Sequence, residues 1–186
     1  AVLDPEKLFS DLLKANNKYT VGYACRRLAD FDAYDYLSDV SELSKAKNRD
    51  VAYNAAMALS RYGYAEGVAD FIVRIENDKK YSFRLVNELF DTFSADKAEL
   101  AAMVFDKCKD YMKINVIKAI SDYRLFEFES MYIEGMSSKN PAMRIACVKA
   151  LGDLANPKNE QLLITATYDK DWVVRSSAVK GLGKID

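Results

Sequence analysis

The carboxylates and thiols of this sequence are its main candidates for chemistry, and their spacing favours binding over catalysis. The 186-residue chain contains 28 Asp and Glu residues and no histidine. The commonest general base and metal ligand is therefore missing, together with every Ser/His and Cys/His nucleophile arrangement. The cysteines Cys25, Cys108 and Cys147 lack the spacing of paired thiols or of a metal site. We interpret them as small apolar residues in a reducing compartment, and we predict a protein that is not an enzyme and uses no metal or other cofactor.

Acidic residues recur at helical spacing in parts of the chain. Asp35, Asp39 and Glu42 fall on one face of a helix, because residues three and four apart in sequence are neighbours there. Further carboxylates occupy corresponding segments later in the chain. The candidate partner-binding residues are Asp35, Asp39, Glu42, Glu66, Asp70, Glu127 and Glu134.

The elements that must position these side chains are copies of one helical pattern. A large apolar anchor recurs at spacings of 31, 31, 30, 31 and 31 residues, at Leu28, Leu59, Phe90, Ile120, Leu151 and Leu182. A small apolar residue lies four positions before each anchor, and a large apolar one lies three positions after it. These three positions share one face of an α-helix, so each copy buries the same stripe. A period of this length is typical of helical solenoids.

Each repeat is predicted to hold an A helix and a B helix. The A helices are expected at 18–31, 49–62, 80–93, 110–123, 141–154 and 172–185. They follow a column that contains the good N-cap residues Asn17, Asn48, Asn140 and Asp171, with Lys79 and Lys109 in the other two repeats. The B helices are expected at 33–44, 66–77, 96–107, 125–136 and 158–168, after a leading helix within 1–16.

These elements predict one all-α domain over 1–186, a solenoid of about six two-helix repeats. The repeats are expected at about 17–47, 48–78, 79–108, 109–139, 140–170 and 171–186. The last A helix is among the most apolar of the chain, whereas terminal repeats usually have a polar outer face. For that reason, and because the sequence begins with Ala1, we expect it to be part of a longer protein.

The two C-terminal A helices carry the clearest family pattern. Asn140-Pro-Ala-Met-Arg144 and Asp171-Trp-Val-Val-Arg175 each combine an acidic or amide cap with an apolar-Arg step, and both helices close with Leu-Gly. This pattern resembles the HEAT-like repeat of phycobilisome lyases and related scaffold proteins. The resemblance implies antiparallel helix pairs stacked in a right-handed α-α superhelix, with the B helices on the concave side. It is specific over about 138–186 and rests on periodicity before that.

The resemblance also implies a structural role for one basic column. Lys113, Arg144 and Arg175 share this column, which in the family pairs with an acidic or carbonyl group of the neighbouring repeat. We therefore expect them to join repeats instead of forming an anion-binding ladder. Trp172, the single tryptophan, is likewise expected to pack between repeats.

The charge pattern predicts an acidic concave groove. Lys and Arg concentrate in the A helices, and Asp and Glu concentrate in the B helices. The first-turn positions of Glu66 and Glu127 account for part of this bias, since a carboxylate there gains roughly 0.3–1 kcal/mol from the helix dipole. Asp39, Glu42 and Asp70 lie deeper in their helices and need another explanation.

A non-catalytic scaffold or adaptor that binds a basic protein or peptide is the leading functional hypothesis. A bilin-lyase-like chromophore-handling subunit is an alternative suggested only by the resemblance. HEAT-repeat nucleic-acid binding is a weaker one, because it needs a basic concave track and the net charge here is −1. HEAT-like hydroxylases are excluded because their His-Glu metal motifs need histidine. No apolar run approaches the ~18–20 residues of a membrane helix, so we expect a cytoplasmic protein without membrane contact.

Overall fold

The computed structural model describes residues 4–78 and 83–185, and within these ranges it contains helices and no strand. The α-helices are α1 Pro5–Leu12, α2 Lys18–Asp30, α3 Leu37–Ser44, α4 Arg49–Tyr62, α5 Ala65–Ile75, α6 Phe83–Thr92, α7 Lys97–Lys107, α8 Asp110–Ile120, α9 Glu129–Gly135, α10 Pro141–Leu154, α11 Glu160–Ala166 and α12 Trp172–Leu182. Short 3-10 turns lie at Tyr34–Tyr36, Ser121–Tyr123, Phe126–Phe128 and Pro157–Asn159. The predicted all-α repeat fold is confirmed, and the right-handed superhelical course stays a prediction.

The observed helices follow the predicted order of A and B helices. The A helices α4 and α10 match the predicted ranges at both ends. The B helices α3, α9 and α11 are shorter than predicted, because each begins with a 3-10 turn. The predicted start of the third A helix and its cap at Lys79 lie outside the described residues.

Polar side chains fix where the A helices begin. Asn17, Asn48, Asn140 and Asp171 each accept hydrogen bonds from backbone N–H groups of the following first turn. These groups have no partner inside the helix, so the caps satisfy donors that would otherwise be left open. Lys109 makes no such bond, as expected for a side chain that cannot accept one.

The repeated apolar stripe forms the core. The anchors Leu28, Leu59, Phe90, Ile120 and Leu151 are fully buried, and the small residues four positions earlier are buried in all six A helices. In the column three residues after the anchor, Tyr123 and Ile185 are only half-buried. Phe31 departs furthest: it is 40% exposed and stacks on Phe9 of α1 at 5.8 Å between ring centroids.

The A helices share a feature at their ends that the sequence does not signal. The fourth residue after the anchor has a left-handed backbone at Asp32, Gly63, Arg124 and Ala155, with φ of 53°, 70°, 53° and 51°. Such a residue terminates a helix and turns the chain towards the B helix. Only Gly63 belongs to the residue type that adopts this conformation without steric cost, so the column is not visible in the sequence.

Contacts divide the chain into two compact units where the repeat pattern predicts one domain. Unit 1 is Ala1–Lys107 and unit 2 is Cys108–Asp186. The division falls next to the predicted boundary between repeats 79–108 and 109–139, so no helix is cut by it. A repeat contacts mainly its sequence neighbours, and a run of repeats can therefore separate at such a boundary.

Within each unit, helices of one type pack on the same type in the next repeat. In unit 1, α2 packs on α4, α4 on α6 and α5 on α7. In unit 2, α8 packs on α10 and α10 on α12, with α9 and α11 on one side. This packing covers the apolar stripe that a single helix pair would leave in water.

Two glycines allow the closest of these approaches. A Cβ placed on Gly152 of α10 would lie 2.5 Å from the Cα of Gly181 in α12. Non-bonded carbon atoms do not approach each other that closely. The helices meet backbone to backbone at this point, which accounts for the glycine at position 152 near the end of α10.

A buried arginine joins the start of α10 to the turn before α12. Arg144 is 4% exposed, and its Nε and Nη2 donate to the two carboxylate oxygens of Asp169, at 2.9 and 3.0 Å. Its Nη1 donates to the carbonyl oxygens of Ser138 and Lys139, at 2.9 and 3.4 Å. We call this arrangement the Arg144 clamp. Because Asp169 accepts from Arg144, the pKa of that carboxyl is lowered.

The other two basic residues of the column make fewer of these contacts than Arg144 does. Nη1 of Arg175 donates to the carbonyl oxygens of Asp169 and Lys170, at 2.8 and 3.1 Å. Lys113 is followed 25 residues later by Ser138, which occupies the position that Asp169 has relative to Arg144. A serine at that position supplies no carboxylate for Lys113.

Replacing Gly152 with alanine tests the backbone contact between α10 and α12. We expect Gly152→Ala to lower the free energy of unfolding by about 1–3 kcal/mol, because the added methyl group must push the helices apart. Gly183→Ala is the matched control, since a Cβ there would meet only carbonyl oxygens at 3.6 Å or more. Urea unfolding followed by circular dichroism measures both. Equal stability of the two variants would contradict the close approach.

Asp169→Asn tests the Arg144 clamp through pH. At pH 7 we expect a loss of about 2 kcal/mol, because a buried charged donor loses its acceptor. The folded pKa of Asp169 is lowered from about 3.8, so the unfolded state takes up the proton first as pH falls. The wild-type advantage is therefore complete above that pH and is lost below it. Urea midpoints of wild type and variant should converge between pH 5 and about pH 2, whereas the exposed control Asp122→Asn should match wild type throughout.

Candidate functional site

The acidic residues predicted in unit 1 lie on α3, on α5 and in the turn that precedes α3. All of them are exposed: Asp35, Asp39, Glu42, Glu66 and Asp70. The same helices bury Val40 in α3 and Phe71 and Ile72 in α5. The apolar side chains thus hold α3 and α5 against the rest of unit 1 and leave the carboxylates in solvent.

Two lysines interrupt this acidic surface, a feature that the sequence analysis missed. Lys45 Nζ lies 2.6 Å from Glu42 Oε1, and Lys107 Nζ lies 2.9 Å from Asp70 Oδ1. The hydrogen bonds to Glu42 and Asp70 are the main reason that the pKa of each lysine is raised. Both lysines lie at the end of their helices. A charge pattern taken from helix interiors therefore underestimates the positive charge that they add to this surface. The surface is acidic but partly neutralised.

A cleft between α1 and α3 brings together Asp11, Asp39 and the lysine-bound Glu42. Its volume is about 320 Å³. Its lining comprises Ser10, Asp11, Leu13, Lys14, Tyr36, Asp39, Glu42 and Leu43. Among the described residues, neither Asp11 nor Asp39 forms an ion pair. We call this feature the α1–α3 cleft.

The lining of the α1–α3 cleft combines two kinds of side chain. Asp11, Asp39 and Glu42 supply three carboxylates, against which Lys14 is the only basic side chain in the lining. Leu13 is buried and, with Leu43, provides apolar surface. Carboxylates beside apolar surface suit a long side chain that has an aliphatic stem and a cationic end.

The acidic residues predicted in unit 2 lie apart from each other. Glu127 is exposed in the 3-10 turn before α9, and Glu134 is exposed on α9. Glu134 lines a cavity of about 460 Å³ together with Asp110, Lys113 and Met131. Glu129 was not predicted as a site residue, and its Oε1 accepts from Asn156 and Asn159 at 2.7 and 2.8 Å. It joins repeats within unit 2 and is not available to a partner.

The expected packing role of Trp172 is wrong for the described chain. Its side chain is 70% exposed, although Val174 two residues later is buried. Trp172 is the first residue of α12, and only residues on the opposite face of that helix meet α10 and α11. The tryptophan lies in solvent beside Arg175, which is also exposed.

The basic side chains of the A helices in unit 1 are largely engaged with carboxylates. Asp30 binds both Arg27, at 2.7 Å, and Arg61. Further ion pairs in this layer join Lys18 to Asp50, Arg49 to Asp78 and Arg84 to Glu88. These contacts neutralise the positive charge that a nucleic-acid surface would need.

The thiols lie in environments that suppress reactivity. Cys25, Cys108 and Cys147 are buried, which agrees with their interpretation as core residues. Burial raises the pKa of Cys25 and of Cys147 to about 12, far above the value at which a thiolate forms at neutral pH. Across residues 4–78 and 83–185, no group of three or more His, Cys, Asp or Glu side chains could hold a metal ion. None of the helices described is long and apolar enough to cross a membrane.

Comparison with known proteins gives one family match. Residues 130–186 match the model of HEAT repeats, over the same stretch in which the cap, the arginine and the Leu-Gly ending recur. A search of curated proteins finds no match. The match does not distinguish the phycobilisome-lyase type, which stays an expectation.

Solved structures show similarity along almost the whole chain. An engineered protein aligns with a TM-score of 0.51 at 13% identity, covering 98% of this chain and 96% of that chain. A designed armadillo repeat protein gives a TM-score of 0.47 at 13% identity, over 98% and 100% of the two chains. Human deoxyhypusine hydroxylase gives 0.46 at 15% identity, over 96% and 73%. At these identities the likeness concerns the fold alone. Residues 130–186 are thus similar to HEAT repeats, and the described chain has the fold of a helical repeat protein.

Proposed function

We propose that this chain is a non-catalytic interaction module that binds a basic segment of another protein at the α1–α3 cleft. The observation that carries the proposal is the meeting of Asp11, Asp39 and Glu42 over the apolar surface of Leu13 and Leu43. Repeat arrays display such surfaces along a scaffold whose own side chains are engaged in packing.

The cleft fits a lysine or arginine side chain of the partner. The aliphatic stem would cover Leu43 and the ring of Tyr36, while the cationic end would lie among the carboxylates. Charge-assisted hydrogen bonds to carboxylates are roughly twice as strong as neutral ones. Asp39 has most to gain, because it is exposed and has no ion pair among the described residues.

The remaining acidic residues of unit 1 would attract the basic partner over longer distances. Asp35 and Glu66 extend the negative surface beyond the cleft, and Glu42 and Asp70 contribute less because lysines already bind them. Complementary charge of this kind accelerates encounter and sets specificity more than it sets affinity. The three buried thiols accord with a reducing compartment, so we place the encounter in the cytoplasm.

The alternative functions meet unfavourable charges. A bilin chromophore carries carboxylates, which would face the carboxylates of the cleft. Nucleic acid needs free basic side chains, whereas four of the five arginines of the A helices in unit 1 bind Asp30, Asp78 or Glu88. Both functions are therefore less favoured than binding of a basic protein segment.

Neutralising the cleft tests the proposal. We expect the double variant Asp11→Asn/Asp39→Asn to bind a fluorescent Lys/Arg-rich peptide about tenfold more weakly than wild type, since a loss of 1.4 kcal/mol corresponds to tenfold. Wild-type binding should also weaken as salt rises from about 0.05 M to about 0.3 M, because screening shortens the range of exposed charges. Fluorescence anisotropy measures both effects.

The control must change net charge equally and leave the cleft intact. Asp122→Asn/Glu160→Gln removes two exposed carboxylates from unit 2 and should bind like wild type. Circular dichroism spectra should be the same for all proteins, because the four substituted side chains are solvent-accessible. An equal loss in both double variants would show that only net charge matters, and it would contradict a site at the cleft.

A further inference from the structure

A cavity among the A helices of unit 1 has a surplus of positive charge. Helices α2, α4 and α6 contribute to it, and its volume is about 310 Å³, near the lower end of the roughly 300–1,000 Å³ that is usual for small-ligand sites. Its charged residues are Arg26, Asp30 and Arg61, and Thr92 adds a hydroxyl group. We call this feature the Arg26 cavity.

Asp30 does not neutralise the arginines around it. Its Oδ1 contacts Nη1 of Arg61, and its Oδ2 accepts from Nη1 of Arg27 at 2.7 Å. Both oxygens of this carboxylate are therefore already engaged by guanidinium groups, each of which has five N–H donors. Nε of Arg27 is buried and has no hydrogen-bond partner among the described residues. Donors thus exceed acceptors at Asp30.

Arg26 is the arginine that remains without a carboxylate. Among the described residues it forms no ion pair. Its Cζ lies 5.8 Å from the centroid of the Tyr53 ring, a cation–π contact that positions the guanidinium beside α4. The hydroxyl of Tyr53 donates to Glu88, whose charge is balanced by Arg84. Asp91 of α6 is exposed and does not line the cavity.

Unit 2 repeats the same three positions with a different outcome. Counted from the apolar anchors, the residues that correspond to Arg26, Asp30 and Arg61 are Lys149, Asp153 and Lys184. Lys184 contacts Oδ1 of Asp153, and Lys149 lies 3.8 Å from Oδ2. The position of Arg27 is taken there by the buried Ala150. Arg27 therefore occupies the carboxylate oxygen that Lys149 approaches in unit 2, and this leaves Arg26 without the partner that its counterpart has.

We propose that the Arg26 cavity binds a phosphoryl group, either as inorganic phosphate or as the phosphate monoester of a protein side chain. Arg26 and Arg61 donate to its oxygens, and the hydroxyl of Thr92 donates a further hydrogen bond. Arg26, Arg27 and Arg61 against Asp30 leave two positive charges, and a phosphate monoester carries about −1.5 to −2 at pH 7. A single carboxylate would balance only one of them. The planar guanidinium also matches the geometry of phosphate oxygens.

The surroundings favour an isolated phosphoryl group over nucleic acid. A nucleic-acid strand presents a row of singly charged phosphates, so it needs several available basic residues in succession. The neighbouring Lys18, Arg49 and Arg84 are paired with carboxylates. The Arg26 cavity also differs in charge from the acidic α1–α3 cleft, so this inference does not depend on the function proposed for that cleft.

Calorimetric titration of the full chain at constant ionic strength tests the proposal. The probes are inorganic phosphate, the end-capped peptide Gly-Ala-phosphoserine-Ala-Gly and the same peptide without phosphate. We expect the first two to bind and the third not to bind. Arg26→Gln should weaken phosphate binding about tenfold or more, because it removes a charge-assisted contact. Thr92→Val should weaken it about threefold, since it removes one neutral donor and keeps a side chain of similar size.

Lys180→Gln is the matched control. Lys180 occupies the column of Arg26 in unit 2, is exposed and forms no ion pair among the described residues. The variant loses the same charge as Arg26→Gln and should bind phosphate like wild type. Phosphate should raise the thermal midpoint of wild type and of Lys180→Gln, because a ligand of the folded state stabilises it, and should leave that of Arg26→Gln unchanged. Circular dichroism without phosphate should be the same for all three.

The probes also distinguish the sources of the phosphoryl group. Tighter binding of the phosphopeptide, with displacement by inorganic phosphate, assigns the group to a protein. Binding of inorganic phosphate without the phosphopeptide assigns it to a small molecule. The proposal is overturned if neither binds, if Arg26→Gln binds like wild type, if Lys180→Gln loses as much affinity, or if acetate competes as well as phosphate. Tighter binding of a single-stranded oligonucleotide than of the phosphopeptide would also overturn it.

Discussion

The fold depends on burial of one apolar stripe that no single helix pair can cover. Anchors such as Leu59 and Leu151 are fully buried only because the neighbouring A helix and the B helix of the same repeat close over them. Burial of a leucine side chain contributes about 1.5–3 kcal/mol, and losing a neighbour exposes several such residues at once. A repeat is therefore stable only when it packs against its neighbours. A helix face without a neighbouring repeat still carries the apolar residues that would form an interface.

Polar contacts give this apolar packing its register. The Arg144 clamp joins α10 to the turn before α12, and Lys184 reaches back to the buried carboxylate of Asp153. These contacts form in only one alignment of the packed helices, whereas a stripe of leucines and alanines would allow the helices to slide along each other. Lys113 has Ser138 where Arg144 has Asp169, and it lines a cavity of about 460 Å³. The three basic residues of the column therefore make different contacts in unit 2.

The candidate site lies where two B-type helices, α1 and α3, line one cleft. Acidic residues on α5 are instead exposed to solvent or bound by a lysine at a helix end. Those of the α1–α3 cleft are gathered over leucines, and this combination is what distinguishes a binding surface from an ordinary solvated face.

The sequence by itself determined the helices, their order and the stripe they bury, because periodicity and N-caps act over one or two turns. It placed α4 and α10 to the residue and named the basic column to which Arg144 belongs. Tertiary structure decided which carboxylate meets Arg144, that Lys45 and Lys107 neutralise Glu42 and Asp70, and that Trp172 is exposed. It also divided the chain at Lys107. These outcomes depend on distances between residues far apart in sequence, which spacing within one helix does not encode.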